Sequence, residues 1–223
     1  MLTGPSYVPS NVERIVILCH GYGSNGHDLM GLVPYLSQKL PNTAFYCPNA
    51  PYPIMYDGYE WFSLSDYTGL SNMVSLDYLD KLIERAKKPS DLLQSYIEHI
   101  KKQHNLKGTD IALGGFSQGG LMALYTGLTG NTDFAGLIGM SSVPLVFNKT
   151  LGLEQVKNNP PVLLTHGTAD NVVPLSGMNL NTQELEKANI SVQTFTSIDL
   201  MHGIDDGCLN TVYLFLKTIF NNC

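Results

Sequence analysis

The chain has 223 residues, of which 43% are hydrophobic and only 14% charged, with a formal net charge of −6. That composition excludes a disordered segment or a highly charged helical rod, and a chain this long has room for one sizeable core. The acidic balance excludes a nucleic-acid binder, which needs basic residues to displace phosphate counterions.

Residues 1–10 hold Pro5 and Pro9 and no basic stretch followed by an apolar one, so no signal peptide is read there. The apolar runs all stop far short of the about 20 residues that span a bilayer. A cytoplasmic protein with no integral membrane segment is expected. Residues 15–19 form a short apolar run with the look of a buried parallel strand. Leu32, Val33, Leu36 and Leu40 then follow with helical spacing, which predicts a helix over 29–40 with Asp28 as its N-cap. A second strand is expected at 45–47. The stretch 48–59 is rich in Pro, Tyr and Gly and reads as irregular. Helices are predicted over 76–87, up to a break at Pro89, and again over 92–100. After them come a strand at 110–115, a helix at 118–128, and strands at 134–140 and 162–165. A helix at 183–188, a strand at 192–196 and an amphipathic closing helix through Leu209, Val212, Tyr213, Leu216 and Phe220 complete the chain. Strands and helices alternate throughout. The expectation is one α/β domain over 1–223, with a mainly parallel sheet covered on both faces.

Two glycine motifs compete for a function. Gly21-Tyr22-Gly23-Ser24-Asn25-Gly26 fits a dinucleotide fingerprint in spacing and in its place between a strand and a helix. That reading needs an acidic residue about 20 positions on to hold a ribose hydroxyl. Between Asp28 and Asp57 there is none, so a nicotinamide cofactor is disfavoured. Gly115-Phe116-Ser117-Gln118-Gly119 is a GxSxG string, weak alone and strengthened by its context. Ile111-Ala112-Leu113 reads as a strand before it and Gly120-Leu121-Met122-Ala123-Leu124 as a helix after it. A nucleophile elbow needs that strand–turn–helix arrangement to lift a serine hydroxyl above the sheet. The alternative is a plain glycine-rich turn with a capping serine.

A serine hydroxyl is a poor nucleophile at neutral pH unless a histidine base and an acid assist it. The histidines after Ser117 are His166 and His202. The only Asp between the serine and His166 is Asp133, and Asp133 is expected at the opposite edge of the sheet. His166 is therefore read as a strand-end residue bonded to backbone. Asp170 and His202 both follow predicted strands and project from the same carboxyl edge as Ser117. Ser117, Asp170 and His202 thus satisfy order and edge together. Asp199 is a rival acid, and Asp205 and Asp206 are read as caps of the last helix. Tyr22 N–H and Gln118 N–H are placed to form an oxyanion hole.

Assembled in this way, the chain resembles the carboxylesterase/phospholipase family of α/β-hydrolases, which includes acyl-protein thioesterases. The resemblance runs from His20-Gly21-Tyr22-Gly23 through Trp61-Phe62, Gly114-Gly115-Phe116-Ser117-Gln118-Gly119-Gly120 and His166-Gly167-Thr168-Ala169-Asp170 to Met201-His202-Gly203-Ile204. It implies a compact fold without a large cap domain, hydrolysis of carboxylic esters or thioesters, no cofactor and frequent homodimers. Lysophospholipids, lactones and peptides share the same elbow and stay open as substrates. A non-catalytic binding protein on the same fold is the rival from another class. Trp61 and Phe62 match a Trp-Phe-Asp segment that lines the acyl site in the family, with Ser63 here in place of the Asp.

Within 55–64, Trp61, Phe62 and Leu64 are read as an apolar wall for an acyl chain, with Met73, Leu76 and Leu79 assigned to that wall or to a helix core. His99 and His104 do not share a helix face, so no metal site is assigned. Cys19, Cys47, Cys208 and Cys223 form no CxxC pair and read as incidental thiols. Asn148-Lys149-Thr150 and Asn189-Ile190-Ser191 match the glycosylation pattern but carry no meaning without a secretory signal.

Overall fold

The computed structural model describes residues 1–66, 69 and 74–221. Met73 and Cys223 lie outside them. Seven strands form one sheet: β1 (Ser6–Tyr7), β2 (Arg14–Cys19), β3 (Thr43–Tyr46), β6 (Ile111–Phe116), β7 (Gly136–Met140), β8 (Val162–Gly167) and β9 (Val192–Ser197). Their order is β1-β3-β2-β6-β7-β8-β9, parallel except for β1, which pairs antiparallel with β3 at one edge. The α/β-hydrolase reading holds, and the described residues carry no cap domain above the strand ends.

Each central strand sends alternate residues to two cores. Ile15, Ile17 and Cys19 pack with α3 (Leu76–His104), α4 (Gln118–Thr129) and α5 (Leu175–Lys187). Val16 and Leu18 pack instead with α1 (Gly26–Met30), α2 (Val33–Lys39) and α6 (Asp206–Asn221). Both faces are covered, and that is why these strands read as unbroken apolar runs.

Several local expectations are corrected. The helix predicted over 29–40 is two helices. Asn25, not Asp28, caps α1, its side chain accepting His27 N–H at 2.9 Å. Pro34, which has no N–H to give, starts α2 in its first turn. Pro89 does not break α3, a single helix of 29 residues. The lost backbone bond and ring clash cost about 3 kcal/mol, but the stripe through Leu82, Ile83, Leu93, Tyr96 and Ile97 is buried on both sides of it. Each such side chain contributes about 1.5–3 kcal/mol, so the packing wins. α5 begins eight residues earlier than its predicted start at 183. Polar Asn181 and Glu184 on its buried face hid the stripe; they accept the Leu145 and Phe147 N–H groups at 3.3 and 2.8 Å. The stretch 48–59 is not wholly irregular: β4 (Tyr52–Pro53) and β5 (Tyr59–Glu60) pair as a small antiparallel ribbon.

The chain runs outward from β2 to β3, then returns to place β6 on β2's other side. This reversal opens a crevice at the carboxyl ends of β2 and β6, where such folds bind ligands. There α4 crosses β2 so closely that a Cβ on Gly119 would lie 2.1 Å from the Cys19 carbonyl oxygen. A Cβ on Gly115 would lie 2.1 Å from the Gly119 carbonyl oxygen. Gly119→Ala is therefore expected to lower unfolding stability in urea by about 2–3 kcal/mol or more. Gly203→Ala, whose Cβ meets nothing nearer than 3.9 Å, should stay within about 0.5 kcal/mol of the parent. Equal stabilities would mean that the crossing is looser than described.

Candidate active site

Ser117 follows β6 with φ 55° and ψ −118°, a conformation that a side chain adopts only under strain. The strain of about 1–3 kcal/mol persists because the surroundings over-determine it. Its N–H donates to the Met140 carbonyl at 2.9 Å, and its own carbonyl accepts from Gly120 at 3.0 Å and Val143 at 3.2 Å. The strand–turn–helix expected around Ser117 is present, with β6 before it and α4 after it. The Ser117 hydroxyl has no hydrogen-bond partner among the described residues and lines a cavity of about 680 Å³.

His202 lines the same cavity, its ring 4.7 Å from that of Phe116. Its Nδ1 lies 2.7 Å from Asp170 Oδ2. A carboxylate only accepts, so Nδ1 carries a hydrogen, and in the neutral ring Nε2 then keeps its lone pair. Asp170 is fully occupied. Its Oδ1 accepts the Val172 and Val173 N–H groups, each at 2.9 Å, and Oδ2 also lies 3.3 Å from His166 Nε2. Burial acts to raise the Asp170 carboxyl, but the bonds from His166, His202 and Val172 outweigh it and hold the group well below the usual carboxylate range.

His166 bonds to backbone, as expected: its Nε2–H donates to the Val173 carbonyl at 2.8 Å. Its contact with Asp170 was missed, although the spacing of four across a strand-end turn was visible in the sequence. The rival acids lie elsewhere. Asp133 is exposed ahead of β7, and Asp199 is exposed with its N–H on Thr168 Oγ1 at 2.9 Å. Asp205 caps α6, accepting Cys208 N–H at 2.8 Å and the Ser197 hydroxyl.

Tyr22 and Gln118 line the cavity beside Ser117. The loop carrying Tyr22 is held by buried His20, whose Nδ1–H donates to the Gly21 carbonyl at 2.7 Å while Nε2 accepts Ala50 N–H at 2.9 Å. One nitrogen must donate and the other accept, so His20 is neutral, and burial lowers its affinity for a second proton. The dinucleotide-like glycines have other work. Gly23 takes φ +80°, and Gly26 presses on the Cys47 carbonyl, its N–H taken by Asn49 Oδ1 at 2.8 Å.

The apolar wall needs correction. Leu64 lines the cavity, but Trp61 and Phe62 do not: both are buried in the core, at 0% and 3% exposure. They support the site from behind. The Trp61 indole N–H donates to the His20 carbonyl at 2.9 Å. The Gln118 side chain accepts Trp61 N–H at 2.9 Å and donates to the Phe62 carbonyl at 2.7 Å, clamping the loop to the elbow. Ser63 is exposed, accepts Ser65 N–H at 3.2 Å, and is not among the described residues that line the cavity. Leu76 is half exposed at the start of α3, and Leu79 is core. Among the described residues the rest of the apolar wall is Leu29 of α1, Leu32 at the cap of α2, Phe116 at the end of β6, and Val143, Val172 and Ile204 from loops at the strand ends. Leu29 and Leu32 fall within the helix predicted from spacing, which does not tell a cavity wall from a helix core, and Val143, Val172 and Ile204 are signalled only by their place after predicted strands. Burial pushes the Cys19 and Cys47 thiols up, Cys47 to about 12, so neither is a nucleophile. Among the described residues no cluster of His, Cys, Asp and Glu is arranged to hold a metal. No helix among them is long and apolar enough to cross a membrane.

Residues 9–220 match the family model for phospholipase/carboxylesterase. Acyl-protein thioesterase 1 of Emericella nidulans is 29% identical, over 98% of this chain and 96% of that protein. The protein of the same name from Gibberella zeae is 31% identical, over 91% and 88%. Among solved structures, esterase PE8 superposes with a TM-score of 0.87 at 32% identity, covering 98% of this chain and 99% of that one. Zea mays acyl-protein thioesterase 2 shares the fold, with a TM-score of 0.72 at 24% identity over 98% and 100%. By the extent of these matches, and by the strand–turn–helix that carries Ser117, the chain belongs to the phospholipase/carboxylesterase family.

Proposed function

We propose that this chain hydrolyses carboxylic esters or thioesters through an acyl-enzyme on Ser117. The observation that carries the reading is the 2.7 Å bond from His202 Nδ1–H to Asp170 beside the strained Ser117 turn. His202 Nε2 takes the Ser117 proton as the hydroxyl attacks the acyl carbonyl. The carbonyl oxygen, now negative, is held by the Tyr22 and Gln118 N–H groups and by the positive end of α4. The tetrahedral centre collapses, His202 gives its proton to the leaving alcohol or thiol, and Ser117 keeps the acyl group. Water repeats the sequence: His202 Nε2 takes its proton as the oxygen attacks the acyl-enzyme, then passes that proton to Ser117 Oγ as the acid is released. The apolar walls of the cavity suit an acyl chain.

The relatives named acyl-protein thioesterase favour an acyl thioester, and the resemblance to esterase PE8 favours an oxygen ester as well. Rates on nitrophenyl esters of rising chain length beside matched acyl-thioesters separate these readings. Ser117→Ala is expected to lower turnover by roughly a millionfold and to abolish labelling by a fluorophosphonate. A variant that keeps most of its esterase activity would contradict the assignment.

Asp170→Asn removes the acceptor that fixes the His202 tautomer and should cost on the order of ten-thousandfold in turnover. Its effect on stability depends on pH. A carboxyl held below its unfolded value contributes stability that is fully present above that value, about 3.9, and is lost as pH falls through the folded value. The parent should therefore exceed Asp170→Asn by about 2 kcal/mol in urea unfolding at pH 7. That gap should narrow below about pH 4. A gap that widens in acid would contradict the charge state assigned to Asp170.

A further inference from the structure

The turn before α1 and the helix itself bring Ser24 and Asp28 to the cavity that Ser117 lines. Asp28 is the one acidic side chain on the described lining, and no lysine or arginine lies there. An acid in the first turn of a helix ordinarily serves the free amides of that turn. Here two of those amides are served by other side chains, His27 N–H by Asn25 Oδ1 at 2.9 Å and Gly26 N–H by Asn49 Oδ1 at 2.8 Å. The Asp28 carboxylate is held instead by the Ser24 hydroxyl, 2.6 Å from Oδ2. Ser24 is itself fixed. Tyr59 N–H donates to its carbonyl at 2.8 Å, and Gly23 N–H donates to the Tyr59 carbonyl at 3.0 Å. A carboxylate is thus anchored on the wall of a largely apolar cavity, with no cation paired to it among the described residues.

We propose that Asp28 selects substrates by charge, favouring acyl esters and thioesters that bear an ammonium or guanidinium group near the scissile bond. Substrates bearing a carboxylate there are disfavoured. The inference rests on the acyl-transfer reading above and specifies its substrate class. The apolar wall strengthens the attraction, while the exposure of Asp28 to solvent leaves it open to screening by salt. Such a group is expected to separate cationic from anionic substrates by about tenfold in kcat/KM.

The test uses matched esters that differ only in a trimethylammonium or a carboxylate group, placed on the acyl end in one series and on the leaving group in another. The parent should prefer the cationic ester by about tenfold in at least one series, and that series locates the side of the scissile bond that Asp28 faces. The preference should shrink as salt rises from about 20 to 500 mM. In Asp28→Asn, which can still accept the Ser24 hydroxyl, the cation-to-anion ratio should fall to within about twofold of unity. Removing a distant exposed charge, as in Asp133→Asn, should leave the ratio at the parent value. A ratio unchanged by Asp28→Asn or by salt, with Ser117 still labelled by fluorophosphonate, would overturn charge selection alone. Absence of both labelling and hydrolysis would overturn the acyl-transfer reading, and this inference with it.

Discussion

Among the tightest backbone approaches of the described residues is the one where the first turn of α4 lies on the carboxyl end of β2. Only the absence of side chains at Gly115 and Gly119 permits it. The crossing forces the chain through Ser117 in a conformation that the parallel strand before it and the helix after it could not otherwise join. The strain is borne by bonds on both sides, from β7 and from α4 itself. With the turn fixed, the serine stands at the crevice that the reversal of strand order opens. The loops after β8 and β9 then need only reach that edge to bring Asp170 and His202 beside it.

Two carboxylates on that edge have opposite circumstances. The Asp170 side chain is fully buried, and every lone pair it can offer is directed at the Val172, Val173, His202 and His166 donors. It supplies orientation and charge to one imidazole and has nothing left for a ligand. Asp28 is exposed, anchored through Ser24, and has no cationic partner among the described residues. The same kind of side chain is thus spent on the His202 imidazole in one place and left without a cation in the other, according to burial and the number of donors around it.

The sequence disclosed those parts of the site that backbone chemistry constrains. Ser117 was legible because a tight crossing requires glycines at fixed offsets, and Asp170 and His202 because chain order and strand ends leave few choices. The sheet was legible because two-sided burial makes Ile15 to Cys19 a continuous apolar run. What stayed hidden depends on contacts distant in sequence. The Pro89 break and the late start of α5 were misread because packing against α4 and two side chain–backbone bonds override local propensity. Trp61 and Phe62 were placed on the cavity wall, since nothing local distinguishes an aromatic that lines a site from one that supports it. The Gln118 clamp and the core around Trp61 decide that question, and both come from elsewhere in the chain.

The most direct measurement is a crystal structure of the chain after reaction with an alkyl fluorophosphonate, which loses fluoride to the attacking serine and leaves an adduct that mimics the tetrahedral intermediate. The account predicts phosphorus bonded to Ser117 Oγ, with one phosphonyl oxygen about 2.7–3.1 Å from both the Tyr22 and Gln118 nitrogens. His202 should stand between the adduct and Asp170, and the alkyl group should lie among Leu29, Leu64, Val143 and Ile204. An unmodified serine, or an adduct whose oxygen is held by neither amide, would contradict it.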